Sequence, residues 1–282
     1  MKKNISRKRI FHAAMLVCMI LISVLALLPV ALMFLDSFKT GSEIARNSWG
    51  FPQNWTLENY EALVSYNSGI MVRTFINSLG ISTVYTILTL LVASLAAFAF
   101  SKYTFRGNKV LFVLLLITMM IPGEITLPAI YLMFSKAHML NTYSVQIFPG
   151  IANVFCLFML KQYMDGMPNS LLEAARIDGA GEIYTFRKIM LPLCKPTLGA
   201  LAILTFLGKW NDYLWPSMLL TKKEIMPIMV ILPTLNTSNS TYSIPWELIL
   251  TGCTIVTLPL IIVFLIFQEQ FMASVTLGAV KE

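Results

Sequence analysis

The sequence predicts an all-α integral membrane protein that crosses the bilayer six times. Three observations carry this reading. Of its 282 residues, 57% are hydrophobic and only 12% charged, with a mean hydropathy of +0.72, whereas an ordinary soluble domain is about a quarter charged. The apolar residues fall in long unbroken runs, each near the roughly twenty residues that a helix needs to span a bilayer. Strands of a membrane barrel would instead alternate over about ten residues. The Lys and Arg residues, finally, gather in alternate loops, as the positive-inside rule requires.

Residues 1–10 form a cytoplasmic N-terminus whose first nine residues carry five basic side chains and no acid. The apolar run 11–35 follows. It is longer than a signal-peptide core of about 7–15 residues and no small-x-small cleavage site follows it, so it reads as the first span. Residues 36–72 make an outer loop in which Trp49, Trp55 and Tyr60 suit the membrane interface. The remaining spans are 74–100, 110–134, 143–160, 197–220 and 247–267. The outer loop after the fifth span has a polar tip, NTSNSTY, at 236–242, and 268–282 is a cytoplasmic tail. With the N-terminus inside, the inner segments 1–10, 101–109, 161–196 and 268–282 hold 14 of the 21 Lys and Arg residues. The net charge of +7 therefore faces an anionic lipid surface and does not call for nucleic acid.

Two spans are interrupted. Pro122, Gly123 and Glu124, then Pro128, fall within the third. An ionisable group and freed backbone at membrane depth must face protein or water, so Glu124 is a path-lining or helix-pairing carboxylate, or else one at the outer rim. The fifth holds Lys209, Trp210, Asn211, Asp212 and Tyr213, then Trp215 and Pro216. Lys209 and Asp212 are three apart and are expected to share a helix face and neutralise each other, as a structural pair or as a gate. The three aromatic rings fit a path for stacking solutes and fit an interface equally.

The most charged stretch is 169–192, NSLLEAARIDGAGEIYTFRKIMLP. Ser170 and Glu173 have the spacing of a capping box. Gly179 is placed to end that first helix in a left-handed conformation. A second helical run, 182–190, is expected to be closed by Pro192. Small residues at Ala174, Ala175 and Gly179 would let another backbone approach, with Glu173 as a charge at the rim.

Catalytic chemistry finds no support. The four cysteines, Cys18, Cys156, Cys194 and Cys253, are scattered, and His12 and His138 lack metal-binding neighbours, so no metal site is expected. There is no HExxH, no GxSxG and no GxxxxGK[ST]. A transporter of this sequence draws its energy from a gradient or from another chain.

EAARIDG at 173–179, nine residues, then Ile189, Met190, Leu191 and Pro192 resembles the EAA loop of ABC importer permeases. WTLENY at 55–60 and WNDYLWP at 210–216 resemble the maltose-type and multiple-sugar branch of that family. The tail TLGAVKE resembles that branch's ending, although Met272, Ala273, Ser274 and Glu282 depart from it. The resemblance implies a type I importer permease fold, with a type-1 transmembrane domain at 73–267 and a cytoplasmic EAA coupling helix. It implies that Glu173, Ala174, Ala175, Arg176, Asp178 and Gly179 dock into a cytoplasmic ATPase. Implied partners are a second related permease, two ABC ATPase subunits and an extracytoplasmic solute-binding protein. This chain would hold no cofactor, with ATP and Mg on the ATPases, and would be a multi-pass protein of a bacterial-type cell membrane. The implied function is the pore-forming subunit of an ATP-driven importer, for a carbohydrate or, in close relatives, a glycerol-phosphate-type solute. The competing reading is a gradient-driven secondary carrier, which commonly shows inverted repeats; no repeat is evident here.

Overall fold

A helix satisfies all its own backbone groups in lipid, and among the described residues every regular element of this chain is helical. The structure, a computed structural model, describes residues 2–236 and 244–279, with side-chain surroundings for 11–236 and 244–270. The polar tip from 237 onward and the last three residues of the tail lie outside the described residues. In order, the helices are α1 (Lys2–Asp36), α2 (Gly41–Arg46), α3 (Glu58–Ser65), α4 (Ile70–Lys102), α5 (Asn108–Thr118), α6 (Gly123–Lys136), α7 (Tyr143–Ile147) and α8 (Val154–Asp165). They continue with α9 (Ser170–Ile177), α10 (Glu182–Leu193), α11 (Lys195–Trp210), α12 (Leu214–Leu219), α13 (Ile228–Ile231) and α14 (Trp246–Ala279).

Among the described residues, three helices are long and apolar enough to cross a membrane: Phe11–Asp36, Ile70–Lys102 and Trp246–Gln270. Two bent pairs, α5 with α6 and α10 with α11, raise the number to five if each pair is one span. The apolar runs depart from single straight helices at three places. The run 110–134 breaks at Met119–Pro122 and bends by 96°. Pro122 has no N–H to continue the ladder and disfavours helical geometry at Ile121. The run 143–160 is split into α7 and α8, with Pro149 and Gly150 between them. Gly150 has φ +93, and a Cβ there would lie 2.8 Å from the hydroxyl of Tyr85. The run 197–220 ends as a helix at Trp210 and resumes as α12.

The chain divides into two compact units, Met1–Met71 with Leu232–Thr257, and Val72–Ile231 with Leu258–Glu282. In the first, the outer loop is pinned by a buried polar knot. Lys39, wholly buried, pairs with Asp36 at 2.7 Å and donates to the carbonyl of Asn47 at 2.7 Å. The Asn59 amide donates to the carbonyls of Ser37 and Lys39. Tyr60 shares a hydrogen bond with Ser37, while Trp49 and Trp55 are exposed.

The second unit has a core of Ala97 and Phe98 on α4, Leu160 and Met164 on α8, Leu172 on α9, Phe186 and Met190 on α10, and Leu201 on α11. Pro192 does not close the second charged helix. Instead α10 runs through it, widened into a π turn over Phe186–Met190, with the Leu191 N–H bonded to the carbonyl of Phe186. A proline in a helix cannot donate to the preceding turn and its ring crowds a carbonyl there, which a widened turn relieves. The change of direction comes at Cys194, just before Pro196 in the first turn of α11, and measures 77°.

Candidate functional site

Two places in the second unit have the makings of a site: the corner between α9 and α10, and a cavity beside α11. The corner is built on the core. Leu172 and Ala175 point into the protein, with 4% exposure each, while Glu173, Ala174, Arg176 and Asp178 are exposed. Ala175 is therefore filled against its own chain and does not offer its surface outward. The expected capping box is absent. Asn169 stands at the N-cap, and its backbone carbonyl accepts from Leu172 and Glu173. The end of α9 is as the sequence suggests. Gly179 has φ +75, Ala180 N–H bonds to the Ala175 carbonyl at 2.9 Å, and Gly179 N–H to that of Arg176 at 3.0 Å. This double bond pattern is a Schellman motif, which needs the left-handed residue that glycine supplies without strain.

A clasp that the sequence does not announce holds the corner. Arg176 donates through Nη2 and Nε to Oε1 of Glu182, at 3.1 and 3.3 Å, and the Tyr103 hydroxyl donates to Oε2. The Tyr103 bond and then the Arg176 guanidinium hold the Glu182 carboxyl below its usual range, and partial burial followed by Glu182 itself pushes the Tyr103 phenol up. Lys102, at the end of α4, donates to the carbonyl of Met167 and to Oδ1 of Asn169. So α4 grips both arms of the corner. Beyond the clasp stand three apolar side chains in the open: Ile177 at 86% exposure, Ile183 at 83% and Tyr184 at 58%. Exposed apolar groups gathered among exposed charges make this corner a candidate contact for another protein.

The cavity is a different kind of place. It is a half-open hollow of about 530 Å³ lined by residues of α4, α6, α7, α11 and α12. Lys209 and Asp212 line it, paired at 2.8 Å with side chains only 10% and 14% exposed. Asp212 lies beyond the end of α11, so the pair bridges the helix end where a shared helix face was expected; its other oxygen accepts from the Trp215 N–H. The Lys209 ammonium also sits 5.2 Å from the centre of the Tyr85 ring, within cation–π range. Gln146 is 2% exposed; its Nε2 donates to the Ile225 carbonyl and its Oε1 has no hydrogen-bond partner.

Of the candidate path residues, Lys209, Asp212 and Trp215 meet at this cavity. Trp210 does not: it is wholly buried, stacked on Phe206 with Phe75 edge-on. Asn211 and Tyr213 are exposed at the turn between α11 and α12, and Glu124 is exposed in the first turn of α6. Tyr85 and Gln146 were not singled out by the sequence, where each is one polar residue in an apolar run with no spacing to flag it. Among the described residues no group of three or more His, Cys, Asp or Glu side chains could hold a metal.

These features describe an all-helical membrane protein with a corner that bears exposed apolar side chains and a cavity that holds a buried ion pair. Comparison gives its family. Residues 89–276 match the family described as "Binding-protein-dependent transport system inner membrane component". The arabinooligosaccharide transport system permease protein AraQ of Halalkalibacterium halodurans is 36% identical over 92% of this chain and 93% of its own length. AraQ of Bacillus subtilis is 34% identical over 96% of each. A chain of a crystallised bacterial ABC transporter that imports the acidic polysaccharide alginate superposes with a TM-score of 0.80, covering 93% of this chain and 97% of that one at 23% identity, a likeness of fold. The chain belongs to the family of binding-protein-dependent transport system inner membrane components. It is a multi-pass cell-membrane permease of an ABC importer, a transport subunit and not a catalyst, that works with a solute-binding protein.

Proposed function

We propose that this chain is one of two related permease subunits of an oligosaccharide importer, driven by ATP hydrolysis on two cytoplasmic ATPase subunits that dock at the α9–α10 corner. The observation that carries the coupling is the corner itself: an EAA motif ending in a Schellman turn, beside exposed Ile177, Ile183 and Tyr184. The carbohydrate reading draws on relatives named for arabinooligosaccharide, maltodextrin and trehalose transport. The distribution of Lys and Arg supports six crossings, with both termini and the corner in the cytoplasm. ATP and Mg then belong to the ATPases. Closure of the ATPase pair moves the corner, and the clasp to α4 and the core beneath α9 pass that motion to the spans. A ligand shifts such an equilibrium only through contacts that differ between the two states, and a corner packed as tightly as this one transmits them with little give.

The test is a double substitution, Gly179→Val with Glu173→Lys. Valine at φ +75 strains the turn, although a Cβ there would meet nothing within 4 Å, and the lysine reverses a rim charge. Transport and permease-stimulated ATP hydrolysis are expected to fall together in membranes where the chain inserts normally. Full transport by the well-expressed double variant would sink the proposal.

A further inference from the structure

A groove on another face of α11 suits a different ligand from anything the polar cavity could take. It holds about 780 Å³ between α4, α11 and α14, within the second compact unit. Its walls are mostly apolar, with Leu90 of α4, Leu198 and Ala202 of α11, and Val263 and Phe267 of α14. Lys195, the first residue of α11, is the one charged residue of the lining. It is exposed, and among the described residues it makes no ion pair. The groove lies open to the side, where Ile87 and Leu91 are 60% and 47% exposed.

The helices fix its depth. Lys195 to Phe206 on α11 and Thr83 to Ser94 on α4 line it, and each stretch rises roughly 16 Å at about 1.5 Å per residue. That matches half of a hydrocarbon core about 30 Å thick. Thr86 is the midpoint of the 33-residue α4, so the groove runs from a membrane surface at Lys195 to about the bilayer centre. Spread over that length, its volume gives a mean section of roughly 50 Å², whereas a helix about 10–12 Å across with its side chains needs roughly 80 Å² or more. The back is closed where α11 and α14 meet, since a Cβ at Gly199 would collide with the side chain of Gln270. The groove is too narrow for a neighbouring helix to enter and as long as one leaflet is deep.

We propose that this groove is a binding site for an anionic phospholipid, with its phosphate at Lys195 and an acyl chain laid along α4, α11 and α14. The inference stands apart from the oligosaccharide and coupling reading and needs only that these helices lie in a bilayer. Apolar walls without partner atoms forfeit dispersion contacts, and a flexible chain supplies them where a rigid helix cannot reach. The unpaired ammonium then selects the headgroup. A lipid with net negative charge neutralises it, whereas a zwitterionic one brings its own cation beside the phosphate.

The experiment uses the purified importer assembly that contains this chain, reconstituted in phosphatidylcholine vesicles. Ile87→Trp places a fluorescent reporter at the open edge of the groove, and Leu91→Trp is a second, independent one. Each is read as the emission it adds to that of the unsubstituted assembly. Increasing fractions of the lipid are replaced by phosphatidylglycerol or phosphatidylcholine brominated on the acyl chains. Half of the added emission is expected to be quenched at an about fivefold lower mole fraction of the brominated phosphatidylglycerol, the scale of one basic residue near an anionic headgroup. Lys195→Gln, a change at an exposed position, is expected to bring the two midpoints together. Equal midpoints with Lys195 in place, or a preference that survives Lys195→Gln, would overturn the proposal. So would an absence of quenching by either lipid at both reporters, which would mean that a neighbouring subunit covers the groove.

Discussion

The corner and the cavity lie in the same compact unit and are built in opposite ways. The corner is local. Its helix, turn and exposed side chains lie within 170–184, where Ile177, Ile183 and Tyr184 stand in the open among the exposed charges of Glu173, Arg176, Asp178 and Glu182. The cavity is assembled from three stretches of chain far apart in sequence, α4, α6 with α7, and α11 with α12, and it sets a few polar groups in a mostly apolar lining. A contact for another protein needs exposed apolar area on a rigid base. A passage for a polar solute needs polar groups withdrawn from lipid and held by one another. The difference teaches that the first can be written in one short motif, while the second exists only once distant single residues have been brought together.

The largest expected effect breaks the cavity. Removing one partner of a buried ion pair strands the other and costs about 3–5 kcal/mol. Lys209→Met or Asp212→Asn alone is expected to lower the thermal midpoint of the detergent-purified chain markedly, and the double substitution Lys209→Met, Asp212→Asn to recover most of the loss. Additive losses would mean that the 2.8 Å pair is not a unit. Next is the corner's foundation. Leu172→Ala opens a hole in the core under α9, expected to cost about 2–5 kcal/mol. Amide exchange across 170–177 should quicken while exchange in α14 holds, and equal quickening everywhere would mean that the corner has no separate footing.

A smaller effect is expected at the cavity wall. Gly150→Ala puts a Cβ against the Tyr85 hydroxyl at a φ of +93, a strain of about 1–3 kcal/mol. Combining it with Tyr85→Phe should relieve the contact but not the backbone strain, so melting of the pair of variants separates the two contributions. The smallest concerns the clasp. The Glu182 carboxyl is held low by Tyr103 and Arg176. A carboxylate with a depressed folded pKa stabilises above its unfolded value, near 4.3, and that contribution is lost as pH falls through the folded value. Opening of the corner, read as amide exchange corrected for its intrinsic pH dependence, is therefore expected to be flat with pH near neutrality and to rise only in acid below the ordinary carboxylate range. Tyr103→Phe should move that rise to higher pH, and a corner that loosens already near pH 7 would contradict the clasp.

Much of this was legible from residues alone. Composition and run length determine a helical membrane protein, because a chain in lipid must satisfy its backbone within each segment. The EAA spacing determines the corner and its glycine, because a Schellman turn involves only neighbours in sequence. The tertiary structure decided the rest. Pro122 marks an interruption in the sequence, but its 96° bend does not follow from the residues, and the Pro149–Gly150 step splits a run that reads as one span, since a missing N–H or a left-handed residue ends a ladder wherever packing lets the chain turn. Ala175 reads as a small residue awaiting a partner and is already covered by its own core. Trp210 reads like Trp215, five residues on, and only packing separates the buried ring from the one facing the cavity. Gln146 and Tyr85 carry no periodic signal, because what sets them beside Lys209 and Asp212 in one cavity is the packing of distant helices, and that neighbourhood exists only in the folded chain.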